Sequence, residues 1–361
     1  MAAKTLFLLL AATLTQVAFG FKLEESDPSQ AVKDWPCPQQ NDIKPCVCYR
    51  DRDLLSLDCS AVTSDLQLQS AFKAYFPFEN FTLLTIIAKP NEKRVPINFL
   101  SEDIFQNVTF ANIRISHTEL NFIHPTVFDK SASHLKTLIV TDSFITLFPF
   151  DMVDKAPLLT DLRVFRNEIL HLPEMTSDSL TYLHIGYNPG IQFGDHAFEA
   201  LPNLEYLVAN DIALSHVAQN AFIKNKNLKY LDLSHNSIET LYRDSIKFQS
   251  PIEEIKLNSN NIHTVEVGAI SALGSPPYTI LWMHNNSVVS LDQTVWEPAF
   301  NSVRGQVRTF VFDDNPLLCS CNVLWLLADN DHRDTISTGA YCVDTGTEIH
   351  DVDVKFLQDS C

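Results

Sequence analysis

The stretch Leu228–Ile246, LKYLDLSHNSIETLYRDSI, reads L-x-x-L-x-L-x-x-N-x-I-x-x-L-x-x-x-x-I. Leu228, Leu231 and Leu233 alternate as the inward side of a short strand would, and Asn236 falls where the chain must turn. Ile238, Leu241 and Ile246 then fill the rest of one coil. A single coil cannot bury its own apolar edge, so the pattern demands neighbours on both sides.

The chain supplies those neighbours. Starts equivalent to Leu228 fall at Phe81, Phe110, Leu135, Leu159, Leu180, Leu204, Ile252, Tyr278 and Val307, mostly 24 or 25 residues apart. The coil at Leu159 is short at 21 residues; the first and the one at Tyr278 run to 29, and that at Ile252 to 26. Asn167, Asn188, Asn236, Asn260, Asn286 and Asn315 take the turn position, where an amide can satisfy backbone groups leaving the strand. Lys89, Thr118, Ser143 and Ile212 interrupt that ladder. Phe128, Phe198, Phe222 and Trp296, with Ile246 and Ile270 as substitutes, occupy a late position and are expected to form one column under the convex side.

The 361 residues are 45% hydrophobic and 19% charged, as in a folded soluble protein. The formal net charge of −18 disfavours nucleic acid or an anionic membrane as partner. Met1–Gly20 has the pattern of a secretory signal: Lys4, the apolar run Leu6–Leu14, then Ala18-Phe19-Gly20. That run is short for a membrane span, which needs ~20 residues. Residues 21–36 are polar, acidic and aperiodic, and read as a flexible lead-in. No apolar segment follows Cys361, so neither a span nor a lipid-anchor tail is expected.

The eight cysteines fall in two groups. Cys37, Cys46, Cys48 and Cys59 precede the coils, and Cys319, Cys321, Cys342 and Cys361 follow them. Behind a secretory leader they predict two disulfides at each end, with three pairings open for each set. The alternative, zinc, lacks paired C-x-x-C motifs. Both ends of a stack of coils need covers, because the terminal coils would expose core and strand edge.

With that layout the resemblance becomes specific. CPQQNDIKPCVCYRDRDLLSLDCS resembles the cysteine-rich N-terminal cap of extracellular leucine-rich repeat proteins, and NPLLCSCNVLWLL followed by Cys342 and Cys361 resembles their C-terminal cap. The resemblance covers Cys37–Cys361. It implies an α/β repeat solenoid, a leucine-rich repeat horseshoe with a parallel concave sheet, whose parts are a cap over 37–80, about ten repeats over 81–318 and a cap over 319–361. It also implies first-to-third and second-to-fourth bridges: Cys37–Cys48, Cys46–Cys59, Cys319–Cys342 and Cys321–Cys361. DIKPCVC with LDCSAV is further similar to an arthropod branch of the family that includes the non-catalytic subunit of a deep-sea shrimp luciferin 2-monooxygenase. In that branch the resemblance implies a companion role beside a small secreted oxygenase subunit.

Catalytic constellations are missing: there is no G-x-S-x-G, H-E-x-x-H, phosphate loop or G-x-G-x-x-G. His184, His235 and His284 belong to alternate coils, roughly 10 Å apart, too far to share one metal ion. The sequence therefore predicts no catalytic residue, metal or cofactor. A stacked sheet offers a rigid binding face, and aromatic and arginine side chains are the usual anchors there. The candidates are Arg163, Phe165, Tyr182, His184, Tyr187, Tyr206, Tyr230, Asp232 and Trp282, with Phe165, Tyr182, Tyr187 and Tyr206 as a contiguous patch. The tyrosines equally suit a purely structural stack. Sequons at Asn80, Asn107 and Asn285 predict glycans, the last near the rim of the concave face. The reading is a secreted, extracellular, non-catalytic scaffold for a protein partner, the companion of a luciferin monooxygenase; the alternative is a free-standing recognition protein of innate immunity or of cell-surface and matrix signalling.

Overall fold

The computed structural model describes residues 36–361 except 53, 90, 272, 275–277 and 307–308. The leader, nearly all of the lead-in and the repeat start at Val307 lie outside the described residues.

Twelve strands form one sheet in chain order. They are β1 (Val47–Asp51), β2 (Leu54–Asp58), β3 (Asn80–Ile87), β4 (Thr109–Ser116), β5 (Thr137–Thr141), β6 (Asp161–Arg163), β7 (Tyr182–His184), β8 (Tyr206–Val208), β9 (Tyr230–Asp232), β10 (Glu254–Lys256), β11 (Ile280–Trp282) and β12 (Phe310–Val311). β1 and β2 make an antiparallel hairpin, and every later pairing is parallel. The chain is thus a stacked series of coils, each contributing one strand: a leucine-rich repeat solenoid.

The register explains the spacing of the leucines. Leu57, Leu84, Ile113, Leu138, Leu162, Leu183, Leu207, Leu231, Ile255, Leu281 and Phe310 pair in one line across the sheet. All eleven are at most 1% exposed, so each coil seals the core of the next. Tyr278 departs from the pattern: it is 48% exposed, whereas Thr279 is fully buried and donates its hydroxyl to Ile252 O at 2.9 Å. The hydroxyl there does by hydrogen bonding what leucine does elsewhere by packing.

After each strand from β4 on, the chain turns through one residue in the left-handed region. His117, Asp142, Arg166, Tyr187, Asp211, His235, Ser259, Asn285 and Asp314 all have φ between 51° and 56°. None is glycine, so each is held against its own preference by its surroundings. In most coils the hold comes from the very next residue, a member of the polar ladder. Asn188 donates to Val164 O in the preceding coil and to Ile185 O in its own, and accepts from Ile169 N. Asn236, Asn260, Asn286 and Asn315 repeat this arrangement. Where asparagine is missing, Thr118 and Ser143 join their hydroxyls at 2.8 Å, and Thr118 Oγ1 accepts from Leu120 N.

The late-position residues are buried. Phe198 stacks on Phe222, and Phe222 on Phe248. Ile246 and Ile270 pair in a small two-stranded parallel sheet separate from the main one. Trp296 packs edge-on against Phe312.

Four disulfides close the ends: Cys37–Cys48, Cys46–Cys59, Cys319–Cys342 and Cys321–Cys361. At the N-terminal end the hairpin supplies its own strand to β3, so the first coil has no bare edge. At the other end, helices Leu324–Ala328 and Asn330–Thr335 cover the last coil; Trp325 packs edge-on to Phe300 and donates to Leu291 O at 2.8 Å. Among the described residues no helix is long and apolar enough to cross a membrane.

Candidate functional site

The exposed side of the sheet carries two residues per strand between the inward ones. Register places Asp161, Tyr182, Tyr206, Tyr230 and Glu254 in one row. Arg163, His184, Val208, Asp232, Lys256 and Trp282 form the next. These rows hold most of the candidate residues, and their side chains are already locked to one another.

Arg163 makes a two-pronged pair with Asp161, at 2.8 and 2.9 Å, and its guanidinium lies 4.3 Å from the centre of the Tyr182 ring. Tyr182 stacks on Tyr206 at 5.7 Å, and Tyr206 leans on Tyr230 at 6.1 Å. Lys256 Nζ sits 5.1 Å from the Tyr230 ring and 3.6 Å from Glu254. Trp282 completes the line by donating to Glu254 Oε1 at 2.7 Å. The result is a rail six strands wide, three stacked tyrosine rings with a cation and a carboxylate at each end and Trp282 beyond. Such mutual packing removes rotamer freedom before any partner arrives, which lowers the entropy cost of binding.

Asp232 is only 8% exposed; it accepts from Ser234 N and Oγ and from Tyr230 Oη, so it braces the rail from beneath. Burial raises the Tyr230 phenol well above its usual range, with Asp232 adding to the effect. Burial works to lower Arg163, and the Asp161 carboxylate more than offsets it.

Phe165 and Tyr187 do not join the tyrosine stack. Phe165 stacks on His184 at 4.2 Å, and Tyr187 occupies a left-handed turn with Arg166 5.0 Å above its ring. Burial, together with the Arg163 charge, pushes His184 down to about 4, so the imidazole is neutral near pH 7. Gly186 lies beside this pair because a Cβ there would run into Asn210 Oδ1 and come within 3.0 Å of His184 Nε2. The contiguous aromatic patch is therefore two adjoining features, a tyrosine rail and a Phe165–His184 pair with Tyr187 at its rim. Two further anchors carry no sequence signal. Arg94 donates to Thr118 O and Asp142 O and lies 4.6 Å from the Phe144 ring centre, clasping three coils at the turn edge. Lys256 capping Tyr230 follows only from strand register.

His184, His235 and His284 belong to separate coils, and among the described residues no group of three metal-ligating side chains comes together. Asn80, Asn107 and Asn285 are all exposed; Asn285 stands at the left-handed turn after β11.

Comparison with known proteins agrees with this architecture. The leucine rich repeat family model matches residues 208–262. The chain is 32% identical over 308 residues to the Oplophorus-luciferin 2-monooxygenase non-catalytic subunit of Oplophorus gracilirostris, covering 84% of this chain and 81% of that protein. Shorter matches at 28% identity reach Toll-like receptor 3 of Bos taurus, over 46% of this chain and 20% of the receptor, and human epiphycan, over 37% and 43%. Among solved structures, a chain of the octameric complex of Latrophilin 3, Unc5D and FLRT2 superposes with a TM-score of 0.61 at 14% identity, over 88% of this chain and 98% of that one. A chain of the Drosophila Toll–Spätzle complex gives 0.55 at 19% identity, over 76% and 38%. The fold is that of a disulfide-capped leucine-rich repeat protein. Within that class, the chain belongs to the family of the Oplophorus luciferin monooxygenase non-catalytic subunit.

Proposed function

We propose that this chain is a secreted companion subunit that holds a small oxygenase on the exposed face of its sheet. The observation that carries this reading is the pre-locked rail from Asp161 to Trp282, which presents aromatic and cationic side chains at little further entropic cost. The family relationship supplies the class of partner. Four disulfides support passage through an oxidising compartment, in keeping with Met1–Gly20 as a secretory leader. Glycans at Asn80, Asn107 and Asn285 fit the same route; the last would shield the later coils and leave β6–β9 open. Loss of intact mass on deglycosylation is the expected result.

The test is size-exclusion of the native chain from its source, followed by mass spectrometry of what travels with it. A stoichiometric small secreted protein is expected, and Tyr206→Ala with Trp282→Ala, which removes two rings of the rail, should weaken its binding by at least tenfold, about 1.4 kcal/mol or more. Unchanged binding in that double variant would move the contact off this face. The partial matches to Toll-like receptor 3 and epiphycan favour a second reading, a free-standing recognition protein, and a chain that elutes alone would support it.

A further inference from the structure

Between the loop at Asp344–Thr347 and the helix Val354–Ser360 lies a cavity of about 520 Å³. That is the size at which small ligands and single peptide side chains are enclosed. Its floor is apolar, formed by the Cys321–Cys361 disulfide, Val352 and Leu357. Phe356 stands at its mouth, 66% exposed, with no ring neighbour among the described residues.

The rim is acidic. Asp344 and Asp353 are fixed by backbone donors, the first taking Cys319 N at 2.9 Å and the second Phe356 N at 3.0 Å. Asp351 is exposed beside them. Of the other five acids in the cap, Asp329 and Asp331 meet Arg304 and Asp334 meets Arg333, while Glu348 and Asp359 join no ion pair among the described residues. None of the three groove carboxylates joins an ion pair among the described residues. From Cys319 to Cys361 the sequence holds eight acidic residues against two basic ones.

We propose that this groove is a second docking site, distinct from the tyrosine rail, for a basic peptide segment of a protein partner that inserts one aliphatic or aromatic side chain beside Phe356. The apolar floor explains the anchor, and the carboxylates of the rim explain the flanking charge. A second copy of this chain is a poor occupant at a net charge of −18, and so is its own acidic stretch Phe21–Pro36. The groove shares no residue with the rail, so this site stands whether or not the rail binds an oxygenase.

Fluorescence anisotropy on the full chain tests it with three labelled 12-residue peptides. One carries lysines and arginines around a Leu-Phe pair, one has the same charge with glycine for that pair, and one carries glutamates around it. The first should bind about tenfold tighter than either control. Asp351→Lys and Phe356→Ser should each weaken it about three- to tenfold, while Phe165→Ala leaves it unchanged. Equal binding of the glycine peptide, unchanged binding in both groove variants, or no saturable binding overturns the proposal. So does sedimentation showing self-association that Phe356→Ser abolishes, which would make a second copy the occupant.

Discussion

The early coils and the later coils build the same turn by different chemistry. From β7 to β11 the strands are three residues long, and in every coil but that of β8, where Ile212 takes the position, an asparagine amide ties the coil to the one before it. From β3 to β5 the strands run eight, eight and five residues, and the ladder is reduced to the Thr118–Ser143 hydroxyl pair. The early coils offset that loss with a longer backbone ladder and a cluster of rings. Phe72, Phe76, Phe81, Phe105 and Phe110 touch one another at 5.2–6.2 Å between centres. Coil geometry therefore does not depend on one residue type; it depends on every inward backbone group finding a partner.

The contrast can be tested by removing what each region relies on. The largest loss should follow Phe110→Ala, which empties the centre of the ring cluster and should cost about 4 kcal/mol in denaturant unfolding. A loss under about 1 kcal/mol would mean that the early coils rest on their strands alone. Asn188→Ala comes next, at about 3 kcal/mol, because it strands the buried Ile169 N–H and the Ile185 carbonyl and leaves the Val164 carbonyl with Asn167 alone. Hydrogen exchange at the Ile169 amide should accelerate in step, and slow exchange there would show that another acceptor takes over.

The third effect depends on pH. His184 titrates near 4 in the folded chain, against about 6.5 unfolded. Between those values the unfolded chain binds the extra proton, so this contribution is complete above pH 6.5 and is lost as the pH falls towards 4. The drop should reach about 2 kcal/mol after allowing for partial exposure. His184→Gln should flatten that part of the stability profile, and an unaltered slope would remove His184 as its source. The smallest effect is Thr118→Val, about 1 kcal/mol, because a hydroxyl bridge is cheaper to lose than an amide ladder. Pairing it with Ser143→Ala should cost less than the sum of the two single losses, since the bridge they share is lost only once. A fully additive double variant would mean that the two do not act as a pair.

Much of this was legible beforehand because the repeat is periodic. The spacing of Leu162, Leu183, Leu207 and Leu231 places them in line, and Asn188 and Asn236 at the turn, with no knowledge of the fold. The failures come where a coil departs from the common length. Tyr278 follows a 26-residue coil, and the inward place passes to Thr279. Phe105 and Phe72 lie outside the template in the stretched first coil and the cap, so the ring cluster around Phe110 carries no periodic signal. On the exposed face, sequence supplies the row of tyrosines but not the contacts that lock them. Tyr187 reads as one more ring on that face, and only the backbone puts it in a left-handed turn under Arg166.

Sequence alone determined the architecture: a coil that cannot bury its own edge must stack, and the period of the leucines sets how it stacks. Tertiary structure alone decided which exposed side chains form a surface. Arg163 reaches Tyr182 across one strand pair, Lys256 reaches Tyr230, and the groove at Phe356 forms between segments that the Cys321–Cys361 bridge draws together. Burial follows a local period that can be read along the chain. Contact between exposed residues depends on strand register and chain closure, which no local stretch contains.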